Sequence, residues 1–211
     1  MCIWGCLRGF GEVTDVALSN SPIKFIDEVH AVEDSNDPTV SPYHFALNLP
    51  NQALIEIGKI VVAFAHIEEI LADFIGRIVT VGGRRFEVGA IVTAELSFRQ
   101  RVAMLSSLLH FALPVGHECL LDLDELRRIL YSAEKQRNNV VHSVWGRPKD
   151  AEDSGPIVRM KRTAKERGGL RVQWVEMSVS ELKAVTAVVG EAWEKLAIFE
   201  GYLSEQQSSQ T

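Results

Sequence analysis

Four segments of the chain repeat their apolar residues every three or four positions, which is the spacing of an amphipathic helix. The first segment begins at Asn51, directly after Pro50, and Glu68 interrupts its apolar seam. That seam consists of Leu54, Ile57, Val61, Phe64, Leu71, Ile75 and Ile78. A second stripe on the same segment, made of Ile60, Ile67 and Phe74, predicts that this helix is covered on two sides.

Local start and stop signals delimit the other helices. A capping box at 97–100 opens the second helix, which Pro114 stops. The acidic run 122–125 predicts the start of the third helix, and a capping box at 178–181 predicts the start of the last one.

The third helix has an arginine on its apolar seam. We expect Gly146 and Pro148 to end this helix, whose seam is Leu126, Leu130, Ala133, Val140 and Val144. Arg137 occupies the skipped seam position. Because an unpaired buried charge costs several kcal/mol, we expect Arg137 to pair with Glu68 or to share a polar pocket with it.

Two β-like runs separate the third helix from the last. Residues 157–176 predict a β-hairpin, and Gly168 with Gly169 suits the positive φ of its turn. The whole pattern predicts an all-α fold: an antiparallel bundle of four to five helices with a small inserted β-hairpin before the last helix.

The domain organisation follows from a change of composition near residue 50. Residues 1–50 hold seven acidic and two basic side chains and no sustained apolar period, so they predict an acidic, weakly ordered N-terminal arm, loose or docked. The helical domain is expected over 51–205, followed by a frayed tail at 206–211.

Composition excludes several classes of protein. A net charge of −6 argues against indiscriminate coating of nucleic acid, although it permits a local basic site. No apolar run reaches the roughly 18 residues that a membrane span needs, so we expect no membrane contact and a cytoplasmic location. The cysteine and histidine spacings favour neither a disulfide framework nor a metal site, and Cys119, placed between helices, is a poor candidate nucleophile. No metal or cofactor is expected.

The run RNNVVH, residues 137–142, concentrates chemistry at one helix end. Asn138 and His142 are four positions apart and share a helix face, and the long side chain of Arg137 can curl to the same rim. Guanidinium, carboxamide and imidazole together can bind phosphate and move protons. Taken singly, Asn138 and Asn139 could merely be solvated, and His142 could be a helix C-terminal cation.

This run resembles the Arg-x4-6-His signature of HEPN domains, which place it near the end of a late helix in an all-α bundle. The resemblance covers roughly residues 50–205 and implies that Arg137, Asn138 and His142 are catalytic. The supporting ion pair with Glu68 is expected from the two interrupted seams. It implies a metal-independent endoribonuclease that works as a homodimer, in some relatives as a toxin or phage-defence effector, with an antitoxin or other protein partner. The alternative is a non-catalytic HEPN-like module that dimerises and binds a nucleotide or a protein.

RNA suits these residues because it carries its own nucleophile, the 2′-hydroxyl, so that transphosphorylation needs proton transfer and charge stabilisation rather than a metal. With the resemblance, we expect a single-stranded or tRNA-like RNA substrate. The hairpin adds a local basic element on an acidic protein, formed by Arg159, Lys161, Arg162, Lys165 and Arg167. These bases either contact the RNA backbone or simply keep an exposed hairpin soluble.

Overall fold

A computed structural model of the chain describes residues 43–45, 49–80, 85–148, 156–165 and 169–208. Its helices are α1 (Asn51–Val79), α2 (Arg85–Thr93), α3 (Phe98–Ala112), α4 (Glu118–Val141) and α5 (Val179–Ser208). Its strands are β1 (Tyr43–Phe45), β2 (Val144–Pro148), β3 (Ile157–Lys165) and β4 (Gly169–Met177). In its described part the chain is therefore mostly helical, with one small antiparallel sheet in the order β1-β2-β3-β4.

The N-terminal end of α1 lies where the sequence predicts it, at Asn51 after Pro50. Of the proposed acidic arm, β1 is described, and it pairs antiparallel with β2. Most of residues 1–50, and with them the prediction of weak order, lie outside the described residues.

The seam predicted for α1 is correct only in its second half. Phe64, Leu71 and Ile75 are buried, whereas Leu54 and Val61 are 45% and 44% exposed. The second stripe, Ile60, Ile67 and Phe74, is buried as predicted. At its start the helix buries Ala53, Glu56 and Ile60, so the inward face there is displaced from the one predicted.

Both predicted capping boxes are present. Ser97 accepts a hydrogen bond from the Gln100 backbone while the Gln100 side chain accepts from the Ser97 backbone, at the start of α3. Ser178 and Glu181 make the same reciprocal bonds ahead of α5. The predicted start of the third helix is wrong, because α4 begins at Glu118 rather than in the run 122–125.

The predicted end of the third helix is also wrong. α4 stops at Val141, and Val144 opens β2 instead of extending the helical seam. The Asn139 carbonyl accepts the Ser143 hydroxyl at 2.6 Å, and the Val140 carbonyl accepts the Trp145 indole N–H at 2.9 Å. Side chains therefore occupy carbonyls at the helix end, where the chain turns into the sheet.

The predicted hairpin is confirmed and belongs to a larger sheet. β3 and β4 pair antiparallel from Ile157↔Met177 to Lys165↔Gly169. β2 lies on the other side of β3, with Trp145 opposite Arg159. The strand β2 was not predicted, since Gly146 and Pro148 in its short sequence read as helix terminators.

Helix α2 was also missed, and it packs unusually close to α1. A Cβ built at the buried Gly89 would clash with the carbonyl oxygen of Ala72 and would lie 3.2 Å from the Gly76 Cα. Only a glycine permits this approach of the two helix backbones. Two threonine hydroxyls bond the glycine carbonyls, Thr93 to Gly89 at 2.7 Å and Thr80 to Gly76 at 2.6 Å.

The chain divides into two compact units, whose boundaries fall inside α1, α4 and α5. The first contains Val61–Gln136 and the chain from Ala187 onward. Its buried core draws on four helices: Phe64, Ile67, Leu71, Phe74 and Ile75 of α1, Phe98, Val102, Leu105 and Leu109 of α3, Leu123, Leu126, Leu130 and Ala133 of α4, and Val189, Ala192, Leu196, Phe199 and Leu203 of α5.

The second unit contains the start of α1 up to Ile60 and the stretch Arg137–Thr186, and thus the whole sheet. Its buried apolar residues are Leu49, Ala53, Ile60, Val140, Trp145, Ile157, Val158, Met160 and Leu182. The end of α4 and the strands thus share one core. Among the described residues, no helix has the length and apolar character that crossing a bilayer requires.

Candidate functional site

The motif residues lie at the C-terminal end of α4, within the second unit. Val140 is buried and anchors this last turn of the helix, while Arg137, Asn138 and Asn139 are half-buried. His142 follows the final helical residue, Val141, and is exposed. The last turn is thus anchored by a buried apolar side chain, while its polar side chains remain at least partly accessible.

The structure brings three of the predicted site residues together. A single guanidinium nitrogen of Arg137, Nη1, donates to the Asn138 Oδ1 at 2.9 Å and lies 3.3 Å from the Nε2 of His142. Because a guanidinium N–H can only donate, Nε2 is the acceptor in this contact. The arginine therefore curls around the helix end to reach a histidine five positions later.

Two of the five hairpin bases also reach the motif. Lys161 donates from Nζ to the Asn139 Oδ1 at 3.0 Å, and Arg159 donates from Nη1 to the Asn139 carbonyl at 2.8 Å. Burial lowers the pKa of the half-buried Arg159 guanidinium. The side chains of Arg162 and Lys165 and the whole of Arg167 lie outside the described residues, so their proposed RNA contact stays a prediction.

Asn139 is the site residue that sequence reasoning missed. The sequence singled out Asn138 because it follows the arginine directly, and Asn139 looked like a second solvated amide. The residue spacing gives no local signal for its role, since its partners Arg159 and Lys161 lie 20 and 22 positions away.

Glu68 is half-buried on α1 in the first unit, whereas Arg137 belongs to the second. Their pairing stays a prediction. A different carboxylate on α1, Glu56, is buried and lies in the second unit. Its side chain receives hydrogen bonds from Lys59 at 3.0 Å, from Gln52 at 3.0 Å and from Thr186 at 2.9 Å. These bonds, above all that from Lys59, lower the pKa of Glu56 and keep it ionised.

Cys119 is in the first turn of α4 rather than in the loop between helices, and it is fully buried. Burial, with the neighbouring carboxylates of Glu118 and Asp122, raises the pKa of its thiol to about 11. A thiol that is protonated and enclosed is a poor nucleophile. The sequence had also given Cys119 as a poor candidate.

Asp122 is buried one turn further along α4 than Glu118. Burial raises the pKa of the Asp122 carboxyl, and the nearby charge of Glu118 raises it further. In the described part of the chain, the buried Oδ2 of Asp122 has no hydrogen-bond partner. In that same part, no three His, Cys, Asp or Glu side chains are grouped so that they could hold a metal ion.

Comparison with models of protein families, with curated proteins and with solved structures gives no match. A function can therefore be inferred only from the geometry around Arg137, Asn138 and His142.

Proposed function

We propose that this chain is a metal-independent endoribonuclease of HEPN type, built on an antiparallel four- to five-helix bundle, that cleaves RNA by attack of the 2′-hydroxyl. The observation that supports this most is the shared donor of Arg137. One nitrogen contacts both the Asn138 carboxamide at 2.9 Å and the His142 imidazole at 3.3 Å. A cation, an amide and a proton acceptor thus occupy one exposed helix end.

The chemistry divides among these three residues. His142 accepts the proton of the 2′-hydroxyl as that oxygen attacks the neighbouring phosphorus, and the 5′-oxygen leaves with a proton. The products are a 2′,3′-cyclic phosphate and a free 5′-hydroxyl end. Arg137 stabilises the charge that develops on the phosphate oxygens, for which the planar guanidinium fork is well shaped.

The contact between Arg137 and His142 sets an order of events. Without substrate, the imidazole Nε2 accepts from the guanidinium, which aims the ring at the same rim. A bound phosphate group attracts the arginine donors to itself and frees Nε2 to take the proton. Asn138 orients the guanidinium through its Oδ1.

A homodimer completes the proposal. Cleavage requires both a base and an acid, and each chain has one histidine in the motif. Two motif helices that face each other across a two-fold axis would supply two imidazoles to one phosphate. Light scattering that finds only a monomer at every accessible concentration would contradict this part.

The remaining hairpin bases, Arg162, Lys165 and Arg167, are proposed to contact the RNA backbone. On a protein of net charge −6, their contribution would be recognised by salt-sensitive binding. A nuclease of this kind also needs restraint in the cell. A toxin or phage-defence role with an antitoxin or other protein partner fits that requirement. The location we propose for this activity is the cytoplasm.

The test is incubation of the purified chain with total RNA in EDTA, followed by detection of 2′,3′-cyclic phosphate ends. His142→Ala should lower the rate roughly 10²- to 10⁴-fold, the usual contribution of acid–base catalysis. His66→Ala is a matched control, because His66 is an exposed histidine on α1, outside the site. Arg137→Lys should retain only part of the activity of the unaltered chain, since an ammonium lacks the planar fork.

Folding must be checked by circular dichroism for every variant. RNA left intact by the unaltered chain would favour the alternative, a non-catalytic module that binds a nucleotide or a protein. A folded Arg137→Ala/His142→Ala variant that cleaves RNA at the normal rate would end the assignment of catalysis to this site.

A further inference from the structure

Asn139 lies between the two catalytic candidates Asn138 and His142, and it receives three hydrogen bonds. Its carbonyl accepts from the Ser143 hydroxyl at 2.6 Å and from Arg159 at 2.8 Å, and its side-chain Oδ1 accepts from Lys161 at 3.0 Å. Two of the three donors belong to β3, so this residue connects the sheet to the end of the motif helix.

These bonds lie where α4 ends. In a continuing helix each carbonyl accepts a backbone N–H four positions later, as the Asn138 carbonyl still does from His142 at 3.3 Å. The next two carbonyls receive side-chain donors, including the Trp145 indole on Val140. Trp145 belongs to β2, and Arg159 and Lys161 belong to β3, so the sheet provides most of the side-chain donors at the helix end that precedes His142.

The charges of the two hairpin residues fit this structural role. A cation near the C-terminal end of a helix is stabilised by the partial negative charge of the unpaired carbonyls. In the described part of the chain, neither Arg159 nor Lys161 forms an ion pair with a carboxylate, and each is held by Asn139 instead. Sequence alone had suggested these two bases as contacts for the RNA backbone.

We propose that Asn139 is a positioning residue of the site, through which Arg159 and Lys161 of β3 hold the end of α4 and thereby place His142 against Arg137. None of these three groups needs to touch the substrate. The effect on cleavage rests on the proposed ribonuclease function, whereas the effect on the placement of His142 does not.

Adjacent asparagines provide a matched pair of variants. Asn138 bonds the catalytic guanidinium, while Asn139 bonds the hairpin. Asn139→Ala should shift the ring resonances of His142 in NMR spectra. The same variant should speed amide hydrogen exchange in β3. Lys161→Met, which removes the donor from the opposite side of the same bond, should shift the His142 ring resonances in the same direction. Asn138→Ala should leave exchange in β3 unchanged.

The decisive measurement is a double-mutant cycle. If Asn139 and Lys161 act through each other, Asn139→Ala/Lys161→Met should displace the His142 resonances no further than either single variant does. In RNA cleavage, both single variants should lower kcat roughly 10- to 100-fold, since a misplacement of about 1 Å can cost as much, with KM nearly unchanged. Lys183→Met is the control for loss of one positive charge, because Lys183 is exposed on α5 in the same unit.

The outcomes separate the two proposals. Unmoved His142 resonances in folded Asn139→Ala and Lys161→Met would overturn the positioning role, as would a rise in KM for Lys161→Met whose effect adds to that of Asn139→Ala. Absence of cleavage by the unaltered chain would remove the ribonuclease function only, and the NMR cycle would still decide whether Asn139 places His142. If Asn139→Ala fails to fold, Lys161→Met alone decides the resonance test.

Discussion

The crossing of α2 over α1 makes a quantitative prediction at Gly89. A methyl group there would clash with the Ala72 carbonyl oxygen, and it would lie 2.9 Å from the Ala72 carbonyl carbon and 3.2 Å from the Gly76 Cα. All three are backbone atoms of a 29-residue helix. They cannot rotate aside as the end of a flexible side chain could, so the two helices would have to separate.

Two opposing effects decide the magnitude. Replacing glycine by alanine within a helix normally stabilises a protein by roughly 0.5–1 kcal/mol, because the unfolded chain loses freedom. Overpacking a close contact costs typically about 1–3 kcal/mol. Since the obstructing atoms of Ala72 and Gly76 are backbone, we expect the second effect to prevail and Gly89→Ala to destabilise the fold by on the order of 1–2 kcal/mol.

Urea unfolding followed by circular dichroism measures this difference, with Gly201→Ala as the matched control. Gly201 lies in α5, and a Cβ there meets nothing within 4 Å, so that variant should gain stability. For a chain of this size the loss at Gly89 corresponds to a fall in Tm of roughly 2–8 °C. If Gly89→Ala proved as stable as Gly201→Ala, the close crossing of the two helices would be refuted.

Three further predictions concern buried groups of α4 and β2. Asp122→Asn should stabilise the fold at neutral pH, because the raised pKa of Asp122 means that its ionised form opposes folding. In urea unfolding, this gain in stability should vanish as the pH falls below the ordinary aspartate pKa of 3.8. A gain that persists at that pH would contradict the reasoning. Trp145→Phe should lose about 1–3 kcal/mol by leaving the Val140 carbonyl unsatisfied, and unchanged urea unfolding would argue against that bond. In a chain whose other two cysteines are replaced by serine, Cys119 should resist a thiol reagent at neutral pH until urea is added, and prompt labelling of the folded chain would be the contrary result.

Features that depend on nearby residues were predicted well. The capping boxes at Ser97 and Ser178 each need only a partner three positions later, and the start of α1 needs only Pro50. The proximity of Arg137 to His142 was also predictable, because both lie within about one turn of the same helix end.

Features that depend on distant partners were missed or misread. Val144 continues the helical spacing of α4, yet β2 forms there, because its strand bonds go to β1 and β3 and the Trp145 indole occupies the Val140 carbonyl. Glu56 was overlooked as a buried acid, since one of its three partners, Thr186, lies 130 positions away. Apolar periodicity describes one helix at a time and carries no information about such pairings.

The junction between α4 and β2 constrains how this protein can vary in length. Two residues, His142 and Ser143, connect the helix to a strand that lies between β1 and β3. Because side chains alternate between the faces of a sheet, one inserted residue would turn Trp145 and all the remaining side chains of β2 to the opposite face. Descendants of this chain are therefore expected to tolerate substitutions at this junction more readily than any insertion or deletion.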